Sequence, residues 1–161
     1  MKMLAVLLLA CACAKTEPPV PRFAKAVAAA TSTAASTLEP KGKERLPGKV
    51  VPVWVQRAMV PDEILLALPE DRRASDDADA AAFARIDCRS EPMGAYTDGM
   101  PAYRSACSVE VRELATMTVR ARKSFTGKVP PQVQQEGRFS AMTPPDYAAI
   151  ADWLKSLPLA K

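Results

Sequence analysis

The residues that most often carry proton transfer in enzymes are scarce in this chain. Its 161 residues include no histidine, which excludes Ser-His-Asp and Cys-His catalysis, the HExxH metal site and a histidine general base. Serine, lysine and acidic residues are present, but no S-x-x-K or G-x-S-x-G motif places them for nucleophilic catalysis. The sequence therefore favours a protein that is not an enzyme.

A cluster of aspartates is the closest approach to a metal site. Asp76, Asp77 and Asp79 follow directly after Ser75, but the glycine and the ligand spacing of an EF-hand loop are missing. Acidic residues after a serine are common where a helix begins, because they offset the positive end of the helix dipole. We therefore expect a helix from Ser75 to about Phe83 and no bound metal or other cofactor.

The first fourteen residues have the composition of an export signal. Lys2 supplies a positive charge, and residues 3–14 are twelve uncharged residues that are apolar or small. A membrane-spanning helix needs about 20 apolar residues, whereas the apolar region of a signal peptide has roughly 7 to 15. Residues 8–11, Leu-Leu-Ala-Cys, resemble the lipobox of bacterial lipoproteins, in which the cysteine is acylated and becomes the first residue after cleavage.

This resemblance implies a cell-envelope lipoprotein that is held to a membrane by lipid on Cys11, with its folded part in the periplasm. Residues 1–10 would then be the signal peptide. Cys13 is the alternative lipidation site, because cleavage before it would leave no spare thiol in an oxidising compartment. A third alternative is an ordinary secretory signal that is cleaved near Ala14 and releases a secreted protein.

Residues 11–48 are predicted to be a flexible tether, rich in proline and alanine, that begins with the acylated cysteine. Pro18, Pro19 and Pro21 favour an extended chain. The Ala/Thr/Ser-rich run 26–37 has almost no large side chain to bury, so it cannot offset the entropy lost on ordering. At most a transient helix is expected there.

Three segments of the remaining chain alternate between apolar and polar residues, at 83–89, 103–111 and 114–125. Such alternation predicts an antiparallel sheet with one buried face. Cys88 and Cys107 fall on inward positions of the first two segments, so an exported protein is expected to join them in a disulfide. The bridge would close a loop of about 20 residues and stabilise the fold by ~3 kcal/mol. The alternative is two buried free thiols.

Two sets of side chains are candidates for contact with a partner. The segment 90–102 is rich in turn residues, and we expect a loop that presents side chains of types common in interfaces: Met93, Tyr96 and Met100. The polar faces of the predicted strands could present an anion-binding patch, formed by Arg104, Arg112, Arg120 and Arg122. The alternatives are a lid folded onto the sheet edge for the first set and a solvated face for the second.

The predicted fold class is α+β, with a single domain over residues 49–161. It would contain a small antiparallel sheet of roughly three to five strands, a C-terminal amphipathic helix and one disulfide. Residues 49–60 are expected to form an edge strand because Pro52 cannot donate a ladder hydrogen bond, and a short helix is expected over 62–68. The last helix, over 144–157, has an apolar stripe at helical spacing, formed by Tyr147, Ile150, Ala151, Leu154 and Leu157.

The predicted function is that of a lipid-anchored envelope lipoprotein whose domain is a non-catalytic binding or structural module. The net charge of +4 is too small to indicate nucleic-acid binding. The expected partners are therefore the membrane, through the lipid, and another envelope protein. One alternative is an exported inhibitor or immunity-type protein against a cell-envelope enzyme, and another is a phage-encoded lysis or exclusion lipoprotein.

Overall fold

The computed structural model describes residues 21–36, 40, 42–96, 99–128, 142–143 and 145–160. Within this part of the chain the helices are Ala24–Ser32 (α1), Asp62–Ala67 (α2) and Tyr147–Ser156 (α3). One sheet contains the strands Val50–Trp54 (β1), Ala82–Ala95 (β2), Pro101–Glu113 (β3), Val119–Thr126 (β4) and Met142–Thr143 (β5). A short 3-10 turn, Val55–Arg57, follows β1.

The strands lie in the order β1-β2-β3-β4, and β5 pairs with β3. The α+β class, the disulfide and the C-terminal helix are confirmed. β2, β3 and β4 form the predicted antiparallel ladders, whereas β1 runs parallel to β2, so the sheet is mixed. The reason is the long connection through α2, which lets the chain return to the same end of the sheet before β2 begins.

One face of the sheet, which we call the apolar face, is covered by α3 and by one side of α2. Apolar side chains of the sheet and the helices form one core there, and Ile86 and Leu154 are among its fully buried members. The α3 helix begins after Asp146, whose carboxylate accepts a hydrogen bond from the backbone N–H of Ala149 at 2.9 Å. The C-terminal helix is therefore somewhat shorter than the predicted range 144–157.

The opposite face of the sheet is partly covered by α1. A second hydrophobic core lies between α1 and this face of the sheet. It contains Phe23, Ala26, Ala30, Val51, Val53 and Phe83. The Asp77 carboxylate accepts hydrogen bonds from two backbone N–H groups at the start of α1, those of Lys25 (2.8 Å) and Ala26 (2.9 Å). The prediction that residues 11–48 are a flexible tether is therefore wrong for residues 21–36. Small alanines bury little area each, but they let the helix lie close to the sheet.

The aspartate cluster does not begin a helix. Residues 75–79 form turns and bends and β2 begins at Ala82, so the prediction of a helix from Ser75 to about Phe83 is wrong. The side chains of the cluster bond to nearby backbone instead, with Asp76 accepting from the N–H of Ala78 at 2.9 Å and Asp79 accepting from the N–H of Ser75 at 3.0 Å. Such local bonds compete with helix formation.

The segment 90–102 is not a loop. β2 continues to Ala95 and β3 begins at Pro101, so the two strands form a long hairpin that ends in a short turn. Cys88 and Cys107 lie directly opposite each other in these strands, with their Cα atoms 4.0 Å apart and a disulfide of 2.16 Å between the sulfurs. The predicted disulfide is confirmed, and the 19-residue separation that it closes is folded as the hairpin of β2 and β3.

Candidate binding groove on the polar face

Beyond the area covered by α1, the face of the sheet opposite α3 is polar, and we call this part the polar face. Side chains at alternating positions of a strand point to one side, and the strand register places Arg85 opposite Glu110 and Asp87 opposite Ser108. The polar face includes Arg85, Asp87, Arg89 and Glu91 of β2, Arg104, Ser108, Glu110 and Arg112 of β3, and Arg122, Ser124 and Thr126 of β4.

A buried charge network lies at the end of the polar face nearest α1. The Glu110 side chain is 2% exposed and forms ion pairs with Arg112 at 2.7 Å and Arg122 at 3.0 Å. Arg85, whose side chain is 7% exposed, pairs with Asp87 at 2.7 Å. Buried charges are costly unless they are both paired and hydrogen-bonded. These groups therefore need further polar partners.

Residues 33–36, which we call the strap, supply those partners. The strap follows α1 directly and lies across the network. Ser36 donates its backbone N–H to the Glu110 carboxylate at 3.1 Å. Three guanidinium groups donate to backbone carbonyls of the strap: Arg85 to Thr33 at 3.1 Å, Arg112 to Ala34 at 2.8 Å and Arg122 to Ser36 at 2.6 Å. Part of the predicted tether is thus built into the fold.

Beyond the strap, the polar face forms an open groove of about 400 Å³. Short side chains on neighbouring strands, Ala106, Ser108 and Ser124, leave space between the longer side chains around them. The groove is also lined by Asp87, Arg89, Glu91, Arg104 and Thr126. It therefore combines charged groups of both signs with hydroxyl groups.

The charged groups of the groove differ in whether they have a partner. Arg104 pairs with Glu91 at 2.7 Å. Asp87 pairs with Arg85 and also accepts a hydrogen bond from Gln56 at 2.5 Å. Among the residues that the structure describes, Arg89 has no ion-pair or hydrogen-bond partner for its side chain.

The groove hydroxyls are equally free. Within the described part of the chain, the hydroxyl groups of Ser108, Ser124 and Thr126 form no hydrogen bond. The groove thus offers unused hydrogen-bond donors from three adjacent strands, including one arginine that forms no ion pair with the described residues.

The predicted apolar contact residues are separated by the hairpin turn. Met93 and Met100 are 37% and 42% exposed, whereas Tyr96 is only 8% exposed. Tyr96 lies in the turn, where its backbone N–H donates to the carbonyl of Met100 at 2.8 Å. The turn buries the side chain of Tyr96, so this residue offers a partner less surface than the two methionines do. The two methionines remain accessible at the tip of the hairpin.

The predicted arginines do not form a single patch. Arg104 lines the groove, whereas Arg112 and Arg122 are engaged by the strap and by Glu110. Arg120 pairs with Glu113 at 2.5 Å and does not line the groove. Arg89 was not among the predicted contact residues, because the predicted strand over 83–89 ended there. The alternation of Arg85, Asp87, Arg89 and Glu91 was the signal that β2 continues.

Among the described residues, three groups have displaced pKa values, and none of them lines the groove. The hydrogen bond from Arg120 lowers the pKa of Glu113 below its ordinary value of 4.5. The backbone N–H of Ser75 lowers the pKa of Asp79. Burial raises the pKa of Tyr147. Local hydrogen bonds and burial account for all three shifts.

The remaining observations concern other kinds of site. In the described ranges, no group of three or more His, Cys, Asp or Glu side chains is arranged to hold a metal ion. None of the described helices is long and apolar enough to span a membrane. Cys11 and Cys13, the predicted lipidation sites, lie outside the described residues. Comparison with protein-family models, with curated proteins and with solved structures finds no match to this chain.

Proposed function

We propose that this chain is a lipid-anchored envelope lipoprotein whose periplasm-facing domain is a non-catalytic binding module, and that the groove is its binding site. The observation that carries the proposal is the open groove, in which Arg89 of β2 is unpaired among the described residues and β3 and β4 offer unused hydroxyls. The buried charges of the polar face are paired, whereas Arg89 is exposed, so its unpaired guanidinium costs the fold little. Such a group is available to a partner.

The position of α1 bears on how the domain would be held. Pro21, where the described chain begins, is ten residues after Cys11 in the sequence. Ten residues span at most about 36 Å when fully extended. If Cys11 carries the lipid, the domain therefore stays within that distance of the membrane. The tether would be much shorter than the predicted 11–48.

The anchor is tested by expressing the full chain in bacteria, with and without inhibition of the lipoprotein signal peptidase. We expect a membrane-bound mature protein that begins at Cys11 or Cys13 and carries the mass of acyl chains. The precursor should accumulate when the peptidase is inhibited. A soluble, unacylated product cleaved near Ala14 would overturn the anchor.

The binding site is tested by covalent cross-linking of the same cells and recovery of the tagged protein. We expect a defined envelope partner to be recovered with the native chain and lost with Arg89→Glu. The matched control is Lys43→Glu, which makes the same charge change at an exposed position outside the groove and should leave recovery unchanged. Equal recovery with both variants would contradict the assignment of the groove.

The hairpin tip favours a second candidate function, inhibition of a cell-envelope enzyme. The hairpin exposes Met93 and Met100 beside its turn, and methionine is enriched in protein interfaces. We expect the purified protein to inhibit one member of a panel of envelope muramidases and proteases stoichiometrically. The double variant Met93→Asp/Met100→Asp should abolish that inhibition. Absence of stoichiometric inhibition across the panel would remove this candidate.

A further inference from the structure

The strap shows how the polar face holds a peptide. Its bonds run from Arg85 on β2, through Arg112 on β3, to Arg122 on β4, so the strap crosses three adjacent strands. Thr33 has extended backbone dihedrals, with φ −98° and ψ 127°. From Thr33 to Ser36 an extended chain covers about 10 Å, which equals two spacings of about 4.8 Å between neighbouring strands. An extended peptide thus matches the spacing of donors across the sheet.

The groove repeats this arrangement further along the same strands. Arg89 lies four residues beyond Arg85 on β2, a distance of about 13 Å along the strand. Ser108 on β3 and Ser124 on β4 are opposite each other in register, and both line the groove with Arg89. The groove therefore presents donors from β2, β3 and β4, as the strap-binding part of the face does, but without an occupant in the described residues.

We propose that the groove binds an extended polypeptide segment of the partner, which crosses β2, β3 and β4 alongside the strap and places a carboxylate on Arg89. This proposal rests on the proposed function, since it names the chemistry of the partner at the same site. Backbone carbonyls of the segment accept hydrogen bonds from the groove hydroxyls. Its carboxylate forms a charge-assisted pair with the guanidinium, which is stronger than a neutral hydrogen bond.

The charges of the groove select an acidic segment. Glu91 neutralises Arg104, and Arg85 neutralises Asp87. Arg89 remains as the single uncompensated charge among the described residues that line the groove. One carboxylate on the bound segment balances it, whereas a basic segment would leave two like charges close together.

A peptide suits the groove better than a sugar. Phe125 is the one aromatic residue among the described lining residues, and its ring packs against Trp153 of α3 at a centroid distance of 5.7 Å. The ring is thus committed to the apolar face and offers no flat surface in the groove. The available groups are a guanidinium and hydroxyls, which can donate hydrogen bonds to peptide carbonyls and carboxylates.

The test uses a displayed library of random seven-residue peptides, selected on the full-length protein purified from membranes. We expect selected sequences to share one Asp or Glu at a fixed position. Replacing that residue by its amide in a synthetic peptide should weaken binding roughly tenfold or more. Arg89→Ala should abolish the preference for the acidic residue, and Ser124→Phe, which fills the groove, should abolish binding altogether. Lys43→Ala is the control and should change neither.

Several results would overturn the peptide proposal. The first is that the library yields no peptide that binds saturably. The second is that the selected peptides bind the Arg89→Ala and Ser124→Phe variants as tightly as the native chain, when both variants retain the disulfide and unfold cooperatively. The cross-linked partner recovered from cells could be digested by a muramidase but not by a protease. That result would show that the groove binds a glycan instead of a peptide, and it would leave the proposed binding function intact. Absence of any cross-linked partner would instead remove the proposed function itself.

Discussion

The two faces of the sheet are closed in different ways. On the apolar face, α2 and α3 cover the sheet with aliphatic and aromatic side chains such as Leu154 and Trp153. The other face is covered near β1 by α1 and then by the strap, whose backbone carbonyls satisfy buried arginines. The apolar face is closed by helices along the core, whereas the polar face remains open at the groove.

This difference indicates where binding can occur without loss of the fold. Burial of apolar area is non-directional and favours complete coverage. The apolar face is therefore most stable when none of its side chains is exposed. Hydrogen-bonded coverage is directional, and within the described ranges the strap bonds to Arg85, Arg112 and Arg122 but not to the groove side chains. The next donors along β2, β3 and β4 are then left to solvent or to a partner.

The largest expected effect comes from breaking the network beneath the strap. Glu110→Ala removes the only acidic partner of Arg112 among the described ion pairs and leaves a buried guanidinium uncompensated. We expect a loss of about 3–5 kcal/mol in the free energy of unfolding, measured by urea denaturation. Glu91→Ala, which removes a half-buried ion pair, should cost about 1 kcal/mol or less. Equal effects of the two variants would show that the strap region is not a closed part of the fold.

The matching change on the apolar face is Leu154→Ala. Leu154 is fully buried, so the variant loses apolar burial and leaves a cavity. We expect a cost of about 2–5 kcal/mol by the same measurement. Leu159→Ala, at a residue that is 37% exposed, should change stability by no more than about 0.5 kcal/mol. A small effect of Leu154→Ala would mean that α3 does not close the core.

The packing of α1 is tested by Asp77→Ala. This variant removes the carboxylate that accepts from the N–H groups of Lys25 and Ala26. Loss of such a cap should cost about 1 kcal/mol, and hydrogen exchange should become faster in residues 24–36. Unchanged stability and exchange would restore the original prediction of a flexible segment. Asp76→Ala serves as the control, because Asp76 makes no bond to α1.

The smallest expected effect is on the pH dependence of stability. Arg120 lowers the pKa of Glu113 in the folded protein below 4.5, so the folded state binds fewer protons than the unfolded state in that range. The contribution of Glu113 is therefore present above pH 4.5 and is lost as the pH falls through the lowered pKa. Glu113→Gln should flatten the fall of stability between pH 5 and pH 3, whereas Glu70→Gln should leave it unchanged. If the free energy of unfolding of Glu113→Gln falls with pH as steeply as that of the native chain, the result would contradict the pairing with Arg120.

The central strands, the disulfide and α3 could be predicted because their signals are local. The alternation of apolar and polar residues predicted that Cys88 and Cys107 point inward. The apolar stripe of the last helix predicted which side of α3 is buried. The strap could not be predicted, because its partners are backbone carbonyls, which every sequence has. The continuation of β2 was hidden by Pro92 and Gly94, which usually mark turns but here lie at a register shift within the hairpin.

The most direct test of the binding groove is photo-cross-linking in cells from a light-activated amino acid placed at Thr126. Thr126 is exposed and lines the groove, and Ala148, exposed on α3, is the control on the other side of the sheet. We expect a discrete protease-sensitive adduct from position 126 that disappears when Arg89→Glu is added, and no such adduct from position 148. No adduct from position 126, or the same adduct from both positions, would contradict the assignment of the groove.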